Sequence, residues 1–519
     1  MKKYRKLITV LLTFSLLAGI AYFLFFRNNP PRNFQTCFYD WQPKKEINQI
    51  DKALLLQEST GTIFLKLGSF DVINGQLTFQ REANWKTLRS YEGIKIDACY
   101  RLEYHFAETF GKMDISQVSE FLRAKITADI NDAEAAGATL SGIHLDLDCP
   151  ASYLPQYTQI LRSLREGLGS SPQKSLSITV LPSWLFSPFK FHSLLKEIDF
   201  YVPLFFGYGI NHTFQDLGPI GGSQSMRWYL WLTGFYGKPY FAGFPNYNLV
   251  LVYGKDGSLL SLESDMAVRD LIANKEVRQV QGGLDASFGG TRLEFDIPQT
   301  TWVAGRKLEA GWKVVTQEVD AELLRNLTRV AREKAPSQCA GFLFFRMDKE
   351  DGLFGLSSQA VIDAAGTKPI DQNIGTAILA MKTRKNIVQF QVVLWNDSDF
   401  PSRPLKLPAL VQLRCSNGEF LEATEGGFDS YFWCHGFERK VAPSSFSRAN
   451  CLRFMVRRLM PHERITSGII RLRQINQDFS LYLYADVPSS TDSSREIWHD
   501  YETYPQYVAP VLEHEEYVR

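Results

Sequence analysis

The sequence predicts an α/β protein in which a (β/α)8 barrel, or TIM barrel, is followed by a small all-β sandwich and preceded by an N-terminal transmembrane helix. Three observations lead to this fold class. Eight short apolar segments, most of them separated by amphipathic helices, are typical of a closed parallel barrel. Beyond residue 375 strand patterns with turn-rich links occur without helices. Near the start, an uncharged and mostly apolar run covers residues 7–26.

The N-terminal run is long enough to cross a bilayer as a helix. A basic flank precedes it, formed by Lys2, Lys3, Arg5 and Lys6. Because basic flanks stay in the cytoplasm, we expect residues 1–27 to be a signal anchor in the inner (cytoplasmic) membrane. The soluble part would then lie in the periplasm or outside the cell, after a short tether at 28–33. The alternative is cleavage after Ala21 and secretion.

The barrel is expected to occupy residues 34–362, with one insertion of hairpins at about 246–315. Amphipathic helices are predicted at residues 116–136, 157–168, 189–198, 226–233 and 321–334. The eight predicted strands cover residues 36–41, 62–68, 93–100, 141–148, 176–184, 199–209, 239–245 and 341–346. Eight parallel strands are the number that closes a barrel of this kind.

The C-terminal third is expected to be a separate β-sandwich. A linker at 363–375 leads into it, the sandwich itself is expected at 376–488, and a polar tail follows at 489–519. The clearest predicted strands cover residues 387–395, 410–415, 469–473 and 481–484.

Charge and cysteine content limit the possible partners. Lys and Arg number 57 against 56 Asp and Glu, so nucleic acid is not expected as a partner, because it would call for a basic surface. The seven cysteines have no zinc-site spacing, and neither a cofactor nor a metal is predicted. The last three, Cys415, Cys434 and Cys451, lie close enough in sequence to include one disulfide in an oxidising compartment.

The segment 141–150 is the strongest candidate for a functional site. Its apolar residues point to one face of the predicted strand, whereas His144, Asp146 and Asp148 point to the other. Burying such groups is costly unless they are paired or used. Ligands bind at the carboxyl ends of barrel strands, where Asp148 is expected. A purely structural Asp network is the alternative, and His144 is expected to satisfy Asp146.

Two carboxyl groups suit glycoside hydrolysis, in which one donates a proton and the other acts as base or nucleophile. Asp148 is the predicted acid. Asp146 would raise the proton affinity of Asp148 or hold its orientation. Asp97 is the predicted second carboxylate, with Asp71 and Asp348 as alternatives. A hard cation held by Asp146, Asp148 and Asp97 is a weaker possibility, since no spacing demands it.

Aromatic residues near strand ends are the predicted substrate-binding groups. Trp41, Trp184, Tyr208 and Tyr247 are candidates for stacking on sugar rings, and Arg346 is a candidate partner for an acid or a charged substrate. The structural alternative is that these aromatics cap the core. In that case Arg346 would only neutralise the Asp cluster.

The barrel strands resemble an uncharacterised bacterial envelope family known only as a domain of unknown function. The resemblance covers most of residues 34–360 and implies a TIM barrel related to glycoside hydrolases. The matching segments are Tyr39-Asp40-Trp41-Gln42 and residues 63–67, 142–148, 153–157, 176–185 and 341–347.

A more distant resemblance is to family-18 chitinase-like barrels, whose fourth strand carries Asp-x-x-Asp-x-Asp-x-Glu. Here Asp146 falls on the last Asp of that motif, Asp148 replaces the acid Glu, and Ser141 and His144 replace the earlier two Asp residues. Asp is one methylene shorter than the Glu of the motif, and a catalytic group misplaced by ~1 Å can cost about a hundredfold in rate.

Two further motifs of those barrels can be matched. The Met-x-Tyr-Asp motif corresponds to residues 206–209, where Tyr208 is kept and the Asp is lost. The Trp of the eighth strand corresponds to Phe345.

The predicted function is therefore that of a membrane-anchored envelope protein whose barrel hydrolyses a cell-envelope or extracellular polysaccharide. A glycan and the inner membrane are the expected partners. The alternative is a non-catalytic envelope protein that binds a glycan or another protein on a degenerate glycosidase barrel. Replacement of the Glu favours this alternative, whereas the presence of Asp146, Asp148 and Tyr208 favours an enzyme.

Overall fold

The fold was determined from a computed structural model. The residues that it describes are 15, 33–57, 60–138, 140–167, 174–207, 213–214, 221–263, 266–285, 290–349, 354–366, 374–384, 386–400, 409–416, 418–435, 439–440, 450–456, 459–475, 480–486 and 498–503.

The predicted parallel barrel is confirmed. Eight strands pair side by side in the order β1-β16-β8-β7-β6-β5-β4-β2, and pairing of β1 with β2 closes the ring. Strands before the C-terminal sheets are β1 (Gln35–Asp40), β2 (Thr60–Ile73), β3 (Gln76–Arg81), β4 (Ile96–Leu102), β5 (Leu140–Leu147), β6 (Ser175–Val180), β7 (Phe200–Pro203), β8 (Tyr240–Pro245), β9 (Leu249–Tyr253), β10 (Leu259–Glu263), β11 (Arg278–Asp285), β12 (Gly290–Asp296), β13 (Thr301–Val303), β14 (Arg306–Leu308), β15 (Lys313–Glu318) and β16 (Cys339–Phe345).

Helices follow most of the barrel strands, and several start at a side-chain cap. The Asp114 carboxylate accepts from the Ser116 amide, and the Asp320 carboxylate accepts from the Leu323 amide. The helices are α1 (Gln49–Leu55), α2 (Trp85–Ser90), α3 (Tyr104–Thr109), α4 (Ile115–Ala135), α5 (Leu154–Gly167), α6 (Pro188–Leu195), α7 (Ser223–Thr233), α8 (Val268–Ala273), α9 (Ala321–Lys334) and α10 (Ser358–Ala365).

Two apolar clusters separate the inside of the barrel from its outer layer. The outward residues of β5 (Ile143, Leu145 and Leu147) belong to the large cluster between strands and helices. The residues of the inner cluster are Cys37, Tyr39, Phe64, Cys99, Val202 and Leu343. The alternation predicted for the fourth strand is therefore present, with its polar residues directed into the barrel.

Two parts of the barrel region differ from their predicted extents. β2 continues to Ile73 and forms an antiparallel hairpin with β3, which the sequence did not suggest. β7 is only four residues long, against a predicted strand of eleven. The predicted insertion forms a five-stranded sheet in the order β10-β9-β15-β12-β11, with β13 and β14 as a separate hairpin.

The C-terminal region adds two antiparallel sheets that share one apolar cluster. One sheet has the order β17-β18-β25-β20, with β24 beside β18, and the other has the order β22-β21-β23-β19-β26-β27. Their strands are β17 (Ile374–Arg384), β18 (Ile387–Asn396), β19 (Ala409–Ser416), β20 (Gly418–Glu422), β21 (Ser430–His435), β22 (Arg439–Lys440), β23 (Cys451–Val456), β24 (Arg464–Thr466), β25 (Ile470–Gln474), β26 (Ser480–Asp486) and β27 (Trp498–Thr503).

Two details of the C-terminal region bear on the sequence predictions. Cys451 is disulfide-bonded, and the register of β21 with β23 places Cys434 opposite it. Part of the predicted polar tail forms β27, which pairs with β26. The predicted domain boundaries stay predictions.

The predicted membrane anchor lies outside the described residues, apart from Ser15. Within the described part of the chain, no helix is both long and apolar enough to span a bilayer.

Candidate functional site

A cavity of about 360 Å³ opens at the carboxyl ends of the barrel strands. This is the end at which barrels of this kind bind ligands. The residues that line it are Tyr39, Trp41, Lys66, Arg101, Glu103, Asp146, Asp148, Thr179, Leu204, Phe206 and Phe345. The wall of the cavity therefore contains three carboxylates, two cations and four aromatic rings.

Pairing between β4 and β5 arranges the polar residues in layers from the floor of the barrel to its mouth. Residues two apart on a strand point to the same side, so every second pair faces the interior. Leu102 pairs with Leu147, so the next two residues, Glu103 and Asp148, leave the sheet side by side. The inward pairs below them, from floor to mouth, are Asp97 with Gly142, Cys99 with His144, and Arg101 with Asp146.

Arg101 joins the two predicted catalytic carboxylates. Its Nη1 donates to Asp146 Oδ2 at 2.7 Å, and its Nη2 donates to Asp148 Oδ2 at 2.8 Å. Burial alone would lower the pKa of Arg101, but the two carboxylates outweigh it and raise that pKa. The guanidinium therefore stays charged and fixes both acids in one geometry.

Asp148 is the more exposed of the two acids. Its side chain is 43% exposed, against 10% for Asp146. Burial in the cavity raises the pKa of Asp148, and the negative charge of Asp146 raises it further, while Arg101 opposes both effects. An accessible carboxyl group with a raised pKa is the type of group that donates a proton.

Glu103 is a second accessible carboxylate in the cavity. It directly follows β4, and its side chain is 36% exposed. Lys66 Nζ lies 3.5 Å from Glu103 Oε1 and 2.9 Å from Glu82 Oε1. The same ammonium lies 5.0 Å from the centroid of the Trp41 ring. Lys66 therefore lies between the Glu103 carboxylate and the Trp41 ring, and it contacts both.

The loop that carries Trp41 is held by a buried ion pair. Lys349 Nζ lies 2.5 Å from Asp40 Oδ2, and both side chains are almost fully buried. The same ammonium donates to the carbonyls of Gln42 and Lys45. Since these carbonyls follow Trp41, Lys349 fixes the position of that ring at the cavity.

His144 lies below the cavity and is not bonded to Asp146 as predicted. Its Nδ1 lies 2.8 Å from Ser177 Oγ, and its Nε2 lies 2.6 Å from the Tyr39 hydroxyl and 3.0 Å from Thr179 Oγ1. Complete burial lowers its pKa to about 3, although Asp146 acts in the opposite direction. A neutral imidazole bonded on both nitrogens supports the barrel interior instead of moving protons.

Asp97 lies at the opposite end of the barrel from the cavity. It is the second residue of β4, four positions before Arg101, which corresponds to about 13 Å along the strand. Ser141 Oγ donates to its carboxylate at 2.9 Å, and burial raises its pKa to about 6. Asp97 is therefore not brought together with Asp146 and Asp148.

Asp348 and Asp71, the alternative candidates for the second carboxylate, also have partners away from the cavity. Asp348 accepts from the amides of Phe354 and Gly355 at 2.7 and 2.8 Å, so its carboxylate is used to hold the backbone at these two residues. Asp71 accepts from the Val72 amide and lies 3.4 Å from His105. Neither residue lines the cavity.

Among the predicted stacking residues, the structure places Trp41 on the cavity wall. Trp184 is fully buried, and its Nε1 donates to the Cys149 carbonyl at 2.8 Å. It therefore cannot stack on a ligand, but it holds the backbone directly after Asp148. Tyr208 lies outside the described residues.

Tyr247 and Arg346 lie behind the cavity wall. The ring of Tyr247 packs edge-on against Phe345 and Phe206, with centroid distances of 5.6 and 6.0 Å. Burial raises the pKa of Tyr247. The guanidinium of Arg346 lies 5.6 Å from the centroid of the Phe354 ring, and the residue is 6% exposed. Phe345, and not these two residues, presents its ring to the cavity.

Sequence reasoning missed Arg101, Glu103 and Lys66. The predicted third strand stopped at Tyr100, where the apolar pattern ends, although β4 continues to Leu102. Charged residues at the end of an apolar barrel strand were the available signal, because that is where ligand-binding groups lie. Lys66 sits within an apolar strand, and only its ion pairs with acids from other segments reveal its role.

Among the described residues, no group of three or more His, Cys, Asp or Glu side chains is arranged to hold a metal ion.

The comparison with solved structures found similar chains at low sequence identity. The chitinase from Chromobacterium violaceum ATCC 12472 has 14% identity, with 64% of this chain and 98% of that chain covered and a TM-score of 0.42. The spore cortex-lytic enzyme SleL from Bacillus megaterium QM B1551 has 13% identity, with coverage of 64% and 74% and a TM-score of 0.44.

A chitinase-like agglutinin from Robinia pseudoacacia has 12% identity, with 64% of this chain and 98% of that chain covered and a TM-score of 0.39. The comparison with curated proteins gave no match. The predicted resemblance to an uncharacterised family is confirmed, since residues 110–286, which include Asp146 and Asp148, match the family described as Domain of unknown function (DUF3142).

Proposed function

We propose that the cavity hydrolyses a glycan, with Asp148 as the proton donor and Glu103 as the second carboxylate. The observation that carries this proposal is that two accessible carboxylates line one aromatic cavity at the carboxyl end of the barrel. Trp41 and Phe345 provide apolar faces on which a sugar ring can stack. Glu103 takes the role that the sequence had assigned to Asp97.

The chemistry follows from these positions. The protonated Asp148 donates its proton to the glycosidic oxygen as the bond to the anomeric carbon breaks. The Glu103 carboxylate accepts a proton from the water whose oxygen bonds to that carbon, so one water is consumed for each bond cleaved. Arg101 acts on Asp148 as a positioning residue through their hydrogen bond, and Asp146 acts on Asp148 through Arg101 and through its charge.

The test is the release of reducing ends from peptidoglycan and a panel of polysaccharides by the full chain. Hydrolysis of at least one substrate is expected. Asp148→Asn should lose about a hundredfold or more in rate, since a positioned general acid contributes about that factor. Asp363→Asn, on α10 at the outside of the barrel, is the matched control and should keep the wild-type rate. Equal rates for Asp148→Asn and wild type would refute the assignment.

A second candidate function is glycan binding without cleavage. The observation that favours it is that both accessible carboxylates already have a cation, Arg101 for Asp148 and Lys66 for Glu103. A glycan that is retained by the wild-type protein and never cut, with the same affinity for Asp148→Asn, would establish this alternative.

We also propose that the apolar run at residues 7–26 anchors the chain in the inner membrane, so that the cavity faces glycans of the cell envelope. Membranes washed with alkaline carbonate should retain the full chain, and deletion of residues 1–27 should release it. Recovery of a mature chain that begins after Ala21 would instead establish cleavage and secretion.

A further inference from the structure

The groups that a ligand meets in the cavity differ in charge from those that lie behind them. The two most exposed charged side chains are acidic, Asp148 at 43% and Glu103 at 36%. The two cations are less exposed, with Arg101 at 23% and Lys66 at 10%. A ligand therefore contacts carboxylates first.

Both cations, Arg101 and Lys66, already form ion pairs with carboxylates of the protein. Arg101 binds Asp146 and Asp148, while Lys66 binds Glu103 and a fourth acid, Glu82. Four carboxylates against two cations leave an excess of negative charge. Three of these carboxylates, Asp146, Asp148 and Glu103, line the cavity, and Glu82 lies behind Lys66.

This negative charge is a local property of the cavity. The whole chain has a formal net charge of +1. In a concave site whose most exposed charged side chains are carboxylates, a positively charged ligand is attracted. The electron-rich face of an aromatic ring acts in the same direction, and Trp41 already has the Lys66 ammonium 5.0 Å from its centroid.

We infer that the substrate of the cavity is a cationic glycan, that is, an oligosaccharide with free, protonated amino groups. This inference rests on the proposed glycan-directed function and specifies its substrate class. Uronic acids and sulfated or phosphorylated sugars are repelled by the same carboxylates, and an N-acetylated sugar lacks the attracted charge.

The test compares three oligomers by calorimetry with the full chain at pH 6 and low salt. These are β-1,4-linked glucosamine hexamer, its fully N-acetylated counterpart and galacturonate hexamer. The glucosamine hexamer should bind about tenfold more tightly than the acetylated one, and the galacturonate hexamer should bind weakest. Added salt should shrink the difference, because exposed charges are screened.

Two variants test whether the preference for the glucosamine hexamer comes from the carboxylates of the cavity. Glu103→Gln should reduce the preference for the glucosamine hexamer several-fold, because it removes one accessible carboxylate. Glu309→Gln, on the hairpin of the insertion, removes a carboxylate that is half exposed and paired with Lys307, and it should leave the preference unchanged.

The possible results separate this inference from the proposed hydrolysis. Tighter binding of the glucosamine hexamer without cleavage supports the inference and contradicts hydrolysis. Cleavage of the acetylated hexamer with equal or tighter binding supports hydrolysis and overturns the inference. Tightest binding of the galacturonate hexamer, or no binding of any hexamer, also overturns the inference.

Discussion

The two ends of β4 lie beside carboxylates in contrasting surroundings. At the floor, Asp97 is 3% exposed, and its partner is the neutral hydroxyl of Ser141. Within the described part of the chain no cation pairs with it. At the mouth, Arg101 binds Asp146 and Asp148 together. At its floor end, β4 therefore carries an acid, Asp97, that has no cation beside it among the described residues. At its mouth end, the same strand carries Arg101, the cation that pairs with Asp146 and Asp148.

The two sites differ in whether a cation opposes the effect of burial on the pKa of an acid. Burial without a cation raises the pKa of Asp97 to about 6, so its charge is disfavoured in the folded protein at neutral pH. At the mouth the charge of Arg101 opposes the effect of burial on Asp148. Packing at the floor is also tight, since a Cβ on Gly142 would lie 2.1 Å from Ser175 Oγ and 2.8 Å from Asp97 Oδ1.

The largest effect is expected from removal of the cation at the mouth. Arg101→Met should lower the free energy of unfolding by about 3 kcal/mol at pH 7, because it leaves Asp146 buried without a counter-charge. The loss should shrink at low pH as the carboxylates are protonated. Urea unfolding measures both values.

The matched control is Arg329→Met, which removes an exposed Arg that binds Glu333 one helical turn away. Such a pair contributes little, so a change within about 0.5 kcal/mol is expected. Equal effects of the two variants would mean that Arg101 is not needed to compensate the acids at the mouth.

At the floor of the barrel, removal of a charged group is expected to increase the free energy of unfolding. Asp97→Asn should raise the free energy of unfolding by up to about 3 kcal/mol at pH 8, since a pKa raised by about two units corresponds to roughly that amount. Above pH 6 the folded wild type buries a charge that the unfolded chain exposes to water. Well below pH 4 both states are protonated, so wild type and variant should then agree. A less stable variant at pH 8 would contradict this account.

A smaller effect is expected from the support beneath Asp148. Trp184→Phe removes the hydrogen bond to the Cys149 carbonyl and part of a buried ring, which should cost about 2 kcal/mol. Hydrolysis should also slow, because the backbone next to Asp148 loses its anchor. Trp302→Phe, on an exposed ring, should change neither quantity.

The smallest effect on stability is expected from Glu103→Gln. Its side chain is partly exposed and lies 3.5 Å from Lys66, so the free energy of unfolding should change by no more than about 0.5 kcal/mol. If Glu103 activates water, the rate of hydrolysis should still fall about a hundredfold. Loss of stability without loss of rate would identify Glu103 as a structural residue.

Sequence periodicity predicted the barrel well, because parallel strands buried on both faces give short apolar runs that are easily recognised. It also placed Asp146 and Asp148 correctly at the end of the fourth strand. Asp97 was predicted as the second carboxylate of the same site, but β4 begins at this position and ends at Leu102. Direction along a strand decides whether an acid belongs to the floor or to the mouth.

The remaining parts of the site depend on contacts that are distant in the sequence. Lys66 and Glu103 are 37 positions apart, and the pair has no local signal. Trp184 has the composition of a stacking residue, and only its complete burial shows that it supports Cys149. Charge balance in a cavity is therefore visible only after the strands are placed in register.

The most direct test of the central claim is the pH dependence of kcat/KM for glycan hydrolysis by the wild type and Asp148→Asn. If Asp148 is the proton donor, kcat/KM should fall as pH rises through its raised pKa, because only the protonated form can donate. Asp148→Asn should lose this dependence together with about a hundredfold or more in rate. A variant with the wild-type rate and the wild-type pH dependence would contradict the assignment of Asp148 as the acid.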